Sequence, residues 1–372
     1  MSGTPPRVRR RLPLRLLVAM GLAGSLAPAV PAGAGYRPPS HYQHFLQAEG
    51  DGSYEYWLYT PHSYRPSRPA PLVVVVHGCN TTAVEQIDAN VAEPMAERNG
   101  VVLVYPDFRN EADPAPDSGE STNASLVGSH PVRCWRFYDA AGDTQRGLGD
   151  PAAIADMTRA VMAKRRIDPD RVYVVGMSSG AMMTSVLGAT YPDLYAAIGV
   201  VAGCAYLDGP TCPARSAADP DTALVQAQAA ATEMGSAARV VPVIDIQGDN
   251  DGTVPPRSGF TVMRQWMATD NLVTAGTTTG PFPLEPTSTA QGRVPGGRSY
   301  TVYTYRQRSG CLAGLHVYVH GMGHFWPGGS KDKTWYEWED PKAPDGVDLT
   351  WSFFRRFTRS STGGACTERE GD

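Results

Sequence analysis

The run Val172-Tyr173-Val174-Val175-Gly176-Met177-Ser178-Ser179-Gly180-Ala181-Met182-Met183 changes its pattern twice. Val172–Val175 is short, apolar and rich in β-branched residues, as in a strand covered on both faces. From Gly180 to Thr190 the pattern is helical. Between them, Gly176-Met177-Ser178-Ser179-Gly180 predicts a tight strand-to-helix turn. Such a turn needs flanks without bulk, and Gly176 and Gly180 supply them. It would expose the Ser178 hydroxyl at the top of a sheet and set the Ser179 N–H at a helix N-terminus, where it can bind a developing negative charge. Alone, Gly-x-Ser-x-Gly is a weak signal because both residues are common. The flanking strand and helix give it weight. Ser179 is the rival nucleophile, one position out of that register.

Outward from this turn, strand and helix patterns alternate. Leu72–Val76, Val101–Tyr105, Ala196–Val201, Val241–Gln247 and Leu315–Val319 are predicted strands, and the alternating Tyr54–Tyr59 is predicted as an edge strand. A helix is expected over Val84–Arg98, ending near Gly100. Another is expected to start at Asp150 as cap with Pro151 in its first turn, burying Ile154, Met157, Val161 and Met162. Leu349–Arg359 should close the chain as a helix, with Leu349, Phe353, Phe354 and Phe357 inward. This alternation implies an α/β fold with a mostly parallel central sheet and helices on both faces. Ligands of such sheets bind at the carboxyl ends of the strands.

The 372 residues suffice for one large α/β domain or two small ones. With 42% apolar and 19% charged residues and a formal net charge of −4, nothing favours nucleic acid or an anionic membrane as partner. A monomer is expected. The start is cationic (Arg7, Arg9, Arg10, Arg11). An apolar run over 16–23 and the small residues Ala32 and Ala34 follow. This is an export-signal pattern, read as residues 1–34 with cleavage after Ala34, leaving 35–372 as a single secreted catalytic domain. The arginines also admit a twin-arginine route, although Pro13 spoils its hydrophobic positions. The apolar run is short for a membrane anchor.

Six cysteines lie in the exported part, and an even count there points to disulfides, with fifteen pairings open. Cys204–Cys212 closes a short loop carrying Pro210, Cys311–Cys366 would tie down the C-terminal tail, and Cys79–Cys134 is then left. There is no Cys-x-x-Cys, so no metal site is expected. Asn80 and Asn123 match glycosylation acceptors by chance.

A serine hydroxyl needs a base. For this turn the chain order is Ser, then acid, then His. After the strand Val241–Gln247 comes Gly248-Asp249-Asn250-Asp251-Gly252, and Asp251 is the favoured acid. Asp249 is the close alternative, and Asp245 lies within the strand. The calcium-loop look of this segment fails in ligand spacing after Gly252. Of the downstream histidines, His316 and His320 sit in or beside a strand, whereas His324 lies in the glycine-rich Gly321–Gly329 loop and is the favoured base. Val73–Val76 runs into His77-Gly78-Cys79, so the Cys79 and Ser179 amides are the expected oxyanion donors, with His77 ordering the loop. Trp135, Phe137, Trp266, Phe325 and Trp326 are candidates for an apolar substrate cleft. No cofactor is implied.

From about Tyr54 to about Phe357 the chain resembles the poly(3-hydroxybutyrate) depolymerase-type esterases, the group that also holds acetylxylan and feruloyl esterases. The resemblance rests on Pro71–Cys79, Cys134-Trp135, Arg146–Pro151, Asp168–Val174, Gly176–Met183, Tyr191–Ala197, Gln265-Trp266 and Gly323–Gly329. It implies an α/β-hydrolase fold, a Ser178–Asp251–His324 triad, the Cys79 and Ser179 amides as oxyanion donors, and a Cys79–Cys134 disulfide. The expected reaction is hydrolysis of a carboxylic ester through an acyl-enzyme. The substrate would be a short-chain polyhydroxyalkanoate or, alternatively, an acetylated or feruloylated polysaccharide. A catalytically silent binding protein on the same fold is the third reading.

Departures are Asn80-Thr81-Thr82 where the group often has a glutamine, and Gln247 where it often has a histidine. They are expected to touch substrate choice more than chemistry. Ser178–Met183 leans toward the acetylxylan esterases. The chain ends at Asp372 with no separate polymer-binding domain, which lowers the expectation of attack on crystalline polyester.

Overall fold

The computed structural model describes residues 41–47, 54–108, 126–127, 130–131, 133–138, 142–208, 212, 220–329 and 338–360. These belong to one compact unit, Gly35–Asp372. The expected leader and Cys366 lie outside the described residues.

The strands are β1 (Tyr42–Leu46), β2 (Tyr54–Tyr59), β3 (Ala70–Val76), β4 (Val102–Phe108), β5 (Leu126–Val127), β6 (His130–Pro131), β7 (Ile167–Met177), β8 (Ala197–Val201), β9 (Val243–Gly248), β10 (Ser288–Arg293), β11 (Ser299–Arg306), β12 (Leu312–Val319), β13 (Trp326–Pro327) and β14 (Glu339–Asp340). The helices are α1 (Ala83–Asn90), α2 (Glu93–Asn99), α3 (Gly149–Lys164), α4 (Ser179–Thr190), α5 (Pro220–Met234), α6 (Ser258–Ala275) and α7 (Gly346–Phe354). Ten strands form one sheet in the order β1-β2-β4-β3-β7-β8-β9-β12-β11-β10. Its six central strands, β4 to β12 in that order, run parallel. Antiparallel strands flank them on both sides, so the sheet is mixed.

Successive side chains of a strand point to opposite faces. Accordingly Leu72, Val74 and Val76 of β3 enter one apolar cluster with residues of α3, α4, α5 and α6. Val73 and Val75 enter the other, with residues of α1, α2 and α7. The central strands are therefore buried on both sides, which is why they are continuous apolar runs rather than alternating ones.

Several local expectations are corrected. The edge strand is β1, paired outside β2. The single helix over Val84–Arg98 is two, α1 and α2. Val91 turns left-handed at φ 49°, and Pro94 in the first turn of α2 cannot continue α1, because it lacks an N–H and its ring clashes with the carbonyl four residues back. Asp150 does not cap α3: Leu148 occupies the cap without a side-chain bond. The Asp150 carboxylate instead accepts from the Tyr54 hydroxyl at 2.6 Å and the Arg136 N–H at 2.7 Å. The exposed polar strand β10, its partner β11, and helices α5 and α6 carry no expectation from the sequence. Helix α6 is buried on most sides, which erases the amphipathic stripe that periodicity detects.

Candidate active site

Because the six central strands are parallel, the loops after β3, β7, β9 and β12 all emerge at one edge of the sheet. Those loops hold His77–Thr81, Ser178, Asp249–Asp251 and His320–His324.

Ser178 sits between β7 and α4 at φ 55°, ψ −122°, a conformation L-residues avoid. The turn is held by the Ser178 N–H donating to the Val201 carbonyl at 3.0 Å and by the Ser178 carbonyl accepting from the Met182 N–H at 3.0 Å. It closes only with glycine on its flanks. A Cβ at Gly180 would lie 2.2 Å from the Val76 carbonyl oxygen, and one at Gly176 2.4 Å from the Gly180 carbonyl carbon. Ser179 opens α4, so its N–H has no partner within the helix.

His324 Nδ1 donates to Asp251 Oδ2 at 2.8 Å, and the two side chains are 9% and 0% exposed. That bond leaves Nε2 as the ring's acceptor. Asp251 receives three further hydrogen bonds, from the Thr253 and Val254 N–H groups at 2.8 Å each and from Gln247 Nε2 at 3.0 Å. Four donors on one buried carboxylate fix its orientation.

The alternative acids and bases pair with each other instead. Asp249 meets His320 at 2.9 Å. Asp245 meets His316 at 2.6 Å in the sheet interior, where burial pushes the Asp245 carboxyl up against the pull of that hydrogen bond. Among these pairs, His324 opens with Ser178 on one cavity of about 360 Å³, and His316 and His320 do not line it.

Cys79, Gly78 and Ser179 line the same cavity. A Cβ on Gly78 would lie 3.2 Å from Ser178 Cβ, so the loop after β3 packs directly on the turn. Three consecutive residues tether that loop from behind. Arg133 pairs with Asp107, whose other oxygen accepts the Ala83 N–H at 2.7 Å. Cys134 is bonded to Cys79. Trp135 Nε1 donates to the His77 carbonyl at 3.0 Å. His77 orders the loop as expected, with Nδ1 2.7 Å from the Gly78 carbonyl and Nε2 3.2 Å from Asp107 Oδ1. Burial pushes the Asp107 carboxyl up, but Arg133 and His77 override it and hold it below the usual range.

The expected cleft aromatics are elsewhere. Trp135, Trp266 and Trp326 are buried in the two cores, and Phe325 packs against the second of them. Large apolar side chains go first to the core, and these do. The aromatics at the cavity are Phe137 and Trp338, the latter 36% exposed. Of the expected set, Phe137 alone is placed there. Cys204–Cys212 is a disulfide that packs with Met182 and Val254 beneath the apolar wall. Asp208 lies beside these sulfurs, but as a disulfide they offer no thiolate to a metal ion. The expected partner of Cys311, Cys366, is outside the described residues. Among the described residues no helix is long and apolar enough to cross a membrane.

Gln247, expected to touch substrate choice more than chemistry, is corrected: its amide donates to the acid Asp251. The signal available was its place at the end of the strand that leads into the acid loop.

A serine on a strained strand-to-helix turn, at the carboxyl edge of parallel strands, with a hydrogen-bonded acid–histidine pair from later strand ends, defines the α/β-hydrolase class. The chain matches the family described as "Esterase PHB depolymerase" over residues 54–254 and belongs to that family. It is 36% identical over 137 residues to poly(3-hydroxyalkanoate) depolymerase C of Paucimonas lemoignei, covering 37% of this chain and 28% of the relative. It is 30% identical over 223 residues to acetylxylan esterase A of Emericella nidulans, covering 57% and 66%. These matches thus span from about a quarter to about two thirds of the relatives' length. Among solved structures, an acetyl xylan esterase from Aspergillus awamori shares the fold, with a TM-score of 0.54 at 22% identity over 76% of this chain and 93% of that one.

Proposed function

We propose that the protein is a secreted serine esterase. Residues 1–34 serve as the export leader, and 35–372 act as one catalytic domain. The leader pattern and the disulfides support export. The observation that carries the catalytic reading is the His324–Asp251 hydrogen bond opening on the same cavity as Ser178. His324 Nε2 takes the Ser178 proton as the hydroxyl attacks the ester carbonyl, and Asp251 holds the imidazole and stabilises its charged form. The Cys79 and Ser179 amides receive the oxyanion. The alcohol leaves with the proton from His324, and water releases the acyl group by the same steps in reverse roles.

For the substrate, a short-chain hydroxyalkanoate polyester or its oligomers is favoured by the exposed Trp338 beside the cavity, an apolar surface for a chain to lie on. The second reading, an acylated polysaccharide, is favoured by the polar residues Asn80, Thr81 and Thr253 lining the same cavity. The test is release of hydroxybutyrate, acetate and ferulate from the corresponding polymers by wild type and Ser178→Ala. Ser178→Ala should abolish every release that wild type shows. Equal release by both proteins would sink the mechanism, and the identity of the released acid decides between the substrates.

A further inference from the structure

The cavity at Ser178 has two unlike walls. One is apolar, with Phe137 and Met182 backed by the Cys204–Cys212 disulfide. The other is α1, which follows the Cys79 loop and brings Glu85 to the same space. Glu85 is the one carboxylate among the described residues that line this cavity.

Glu85 has a structural duty, and one of its two carboxylate oxygens performs it. Its N–H donates to Thr82 Oγ1 at 3.1 Å. Its Oε2 accepts from the Thr82 N–H at 2.7 Å and from the Thr82 hydroxyl at 3.2 Å. This reciprocal cap fixes the first turn of α1 and holds the Glu85 side chain in place. Oε1 takes no part in it. The side chain is half-buried, Oε1 has no hydrogen-bond partner, and it is not one of the enclosed polar atoms. Its neighbours in the chain are differently placed. Thr81 Oγ1 is committed to the Gly78 carbonyl at 2.9 Å. The Gln86 amide nitrogen is enclosed, out of a ligand's reach. A carboxylate oxygen is an acceptor only. A ligand that covers it strips its hydration, and only a donor on that ligand makes the loss good.

We propose that Glu85 determines specificity by accepting, at Oε1, a hydrogen bond from a free hydroxyl of the substrate close to the ester being cleaved. The inference rests on Ser178 being the nucleophile, because the shared cavity is what brings Glu85 near the reacting ester. The ligand chemistry is an ester with a neighbouring hydroxyl. Two sources supply it: the acyl side, as in a hydroxyacyl unit, and the alcohol side, as in an acylated sugar ring. An ether in the same position has an oxygen but no proton, and it leaves the carboxylate unpaired. A site built to hydrogen-bond a hydroxyl discriminates strongly against an analogue that cannot donate.

The test compares two matched pairs on the full-length mature chain. Ethyl 3-hydroxybutyrate against ethyl 3-methoxybutyrate varies the acyl-side donor. The monoacetate of cyclohexane-1,2-diol against 2-methoxycyclohexyl acetate varies the alcohol-side donor. Burial raises the Glu85 carboxyl against the pull of the Thr82 N–H and hydroxyl, so the assays run at about pH 8 to keep the carboxylate form. Wild type should prefer the hydroxyl member of one pair by about ten-fold or more in kcat/KM, and that pair identifies the source.

Glu85→Gln is the variant. A glutamine serves the same cap, with its amide oxygen accepting the Thr82 N–H. Its NH₂ then takes the place of Oε1 and donates, which suits a hydroxyl and an ether oxygen alike. The hydroxyl-to-methoxy ratio should therefore collapse to near unity. A merely structural effect on α1 or on the Cys79 loop acts on both members of a pair and leaves the ratio where it was. A wild-type ratio near unity in both pairs, or a ratio unchanged by Glu85→Gln, overturns the proposal while leaving Ser178-dependent esterase activity intact. Absence of hydrolysis by wild type on all four esters overturns the esterase reading and this inference together.

Discussion

Arg133→Met tests whether the tether behind the Cys79 loop is an energetic element of the site. Arg133 and Asp107 side chains are 4% and 3% exposed. Arg133 also donates to the Phe108 carbonyl at 3.0 Å. Removing one member of a buried ion pair leaves the other charge uncompensated and costs roughly 3–5 kcal/mol. With a urea m-value of roughly 3 kcal/mol/M, the unfolding midpoint should fall by about 1–1.7 M. Asp107 also meets the loop at His77 Nε2, 3.2 Å away, and the start of α1 at the Ala83 N–H, so its displacement should move the Cys79 amide. Losing an oxyanion donor outright costs about 10²–10³ in kcat, and a misplaced one should cost about ten-fold or more. The assay is p-nitrophenyl acetate hydrolysis well below the unfolding transition.

The stability loss should also depend on pH. In wild type the Asp107 carboxyl is held below the usual range, so its contribution is present above the unfolded carboxyl value and is lost only as pH falls through the lower folded value. Without Arg133 the downward pull is left to His77 and the Ala83 N–H against burial, so the carboxyl moves up and the penalty fades as acid protonates it. The gap between the proteins should therefore narrow from pH 7 toward the unfolded aspartate value of about 3.9. Adding Asp107→Asn, which removes the stranded charge, should recover most of the loss. A midpoint within about 0.3 M of wild type at pH 7 would refute the reasoning, since it corresponds to only about 1 kcal/mol.

Asp251→Asn should lower kcat by about 10⁴, because an amide favours the wrong histidine tautomer, whereas Asp249→Asn, which touches His320, should stay within a few-fold of wild type. The reverse ranking in a steady-state assay would reassign the acid. Burial raises the Glu339 carboxyl to about 7, and its Oε2 has no hydrogen-bond partner. The folded state therefore favours the proton, and this site's contribution falls as pH rises from about 4.5 through 7. Glu339→Gln should raise Tm relative to wild type at pH 8 and match it near pH 5; parallel Tm–pH curves for the two proteins would exclude Glu339 as the cause.

What the sequence made legible follows the range of the physics. The Ser178 turn is local chemistry: two glycines, a strand before and a helix after are all within reach of one reading. The choice among three aspartates and three histidines is not local. It depends on β9 lying beside β12 in parallel, with Asp245 opposite His316. From that register, four residues on along each strand pair Asp249 with His320, at the strand exit. The third pair departs from it, joining Asp251 to His324 six and eight residues on. The extra residues lie in the Gly321–Gly323 turn, which bends His324 away from the sheet line and over the Ser178 cavity. The glycine-rich context that favoured His324 marks this turn, and the register it departs from is supplied only by the folded sheet.

The aromatics failed for the opposite reason. Trp135 and Trp266 lie in motifs of the family, and what those motifs encode at these positions is packing: Trp135 closes over the His77 carbonyl and Trp266 abuts α4 at Gly188. Gln247 was visible only as a departure assigned to substrate choice, because a glutamine at a strand end does not announce its partner. It becomes informative when burial and its partners are known. The buried amide of Gln247 is paired to the acid at 3.0 Å, so this residue supports the chemistry through the carboxylate it holds.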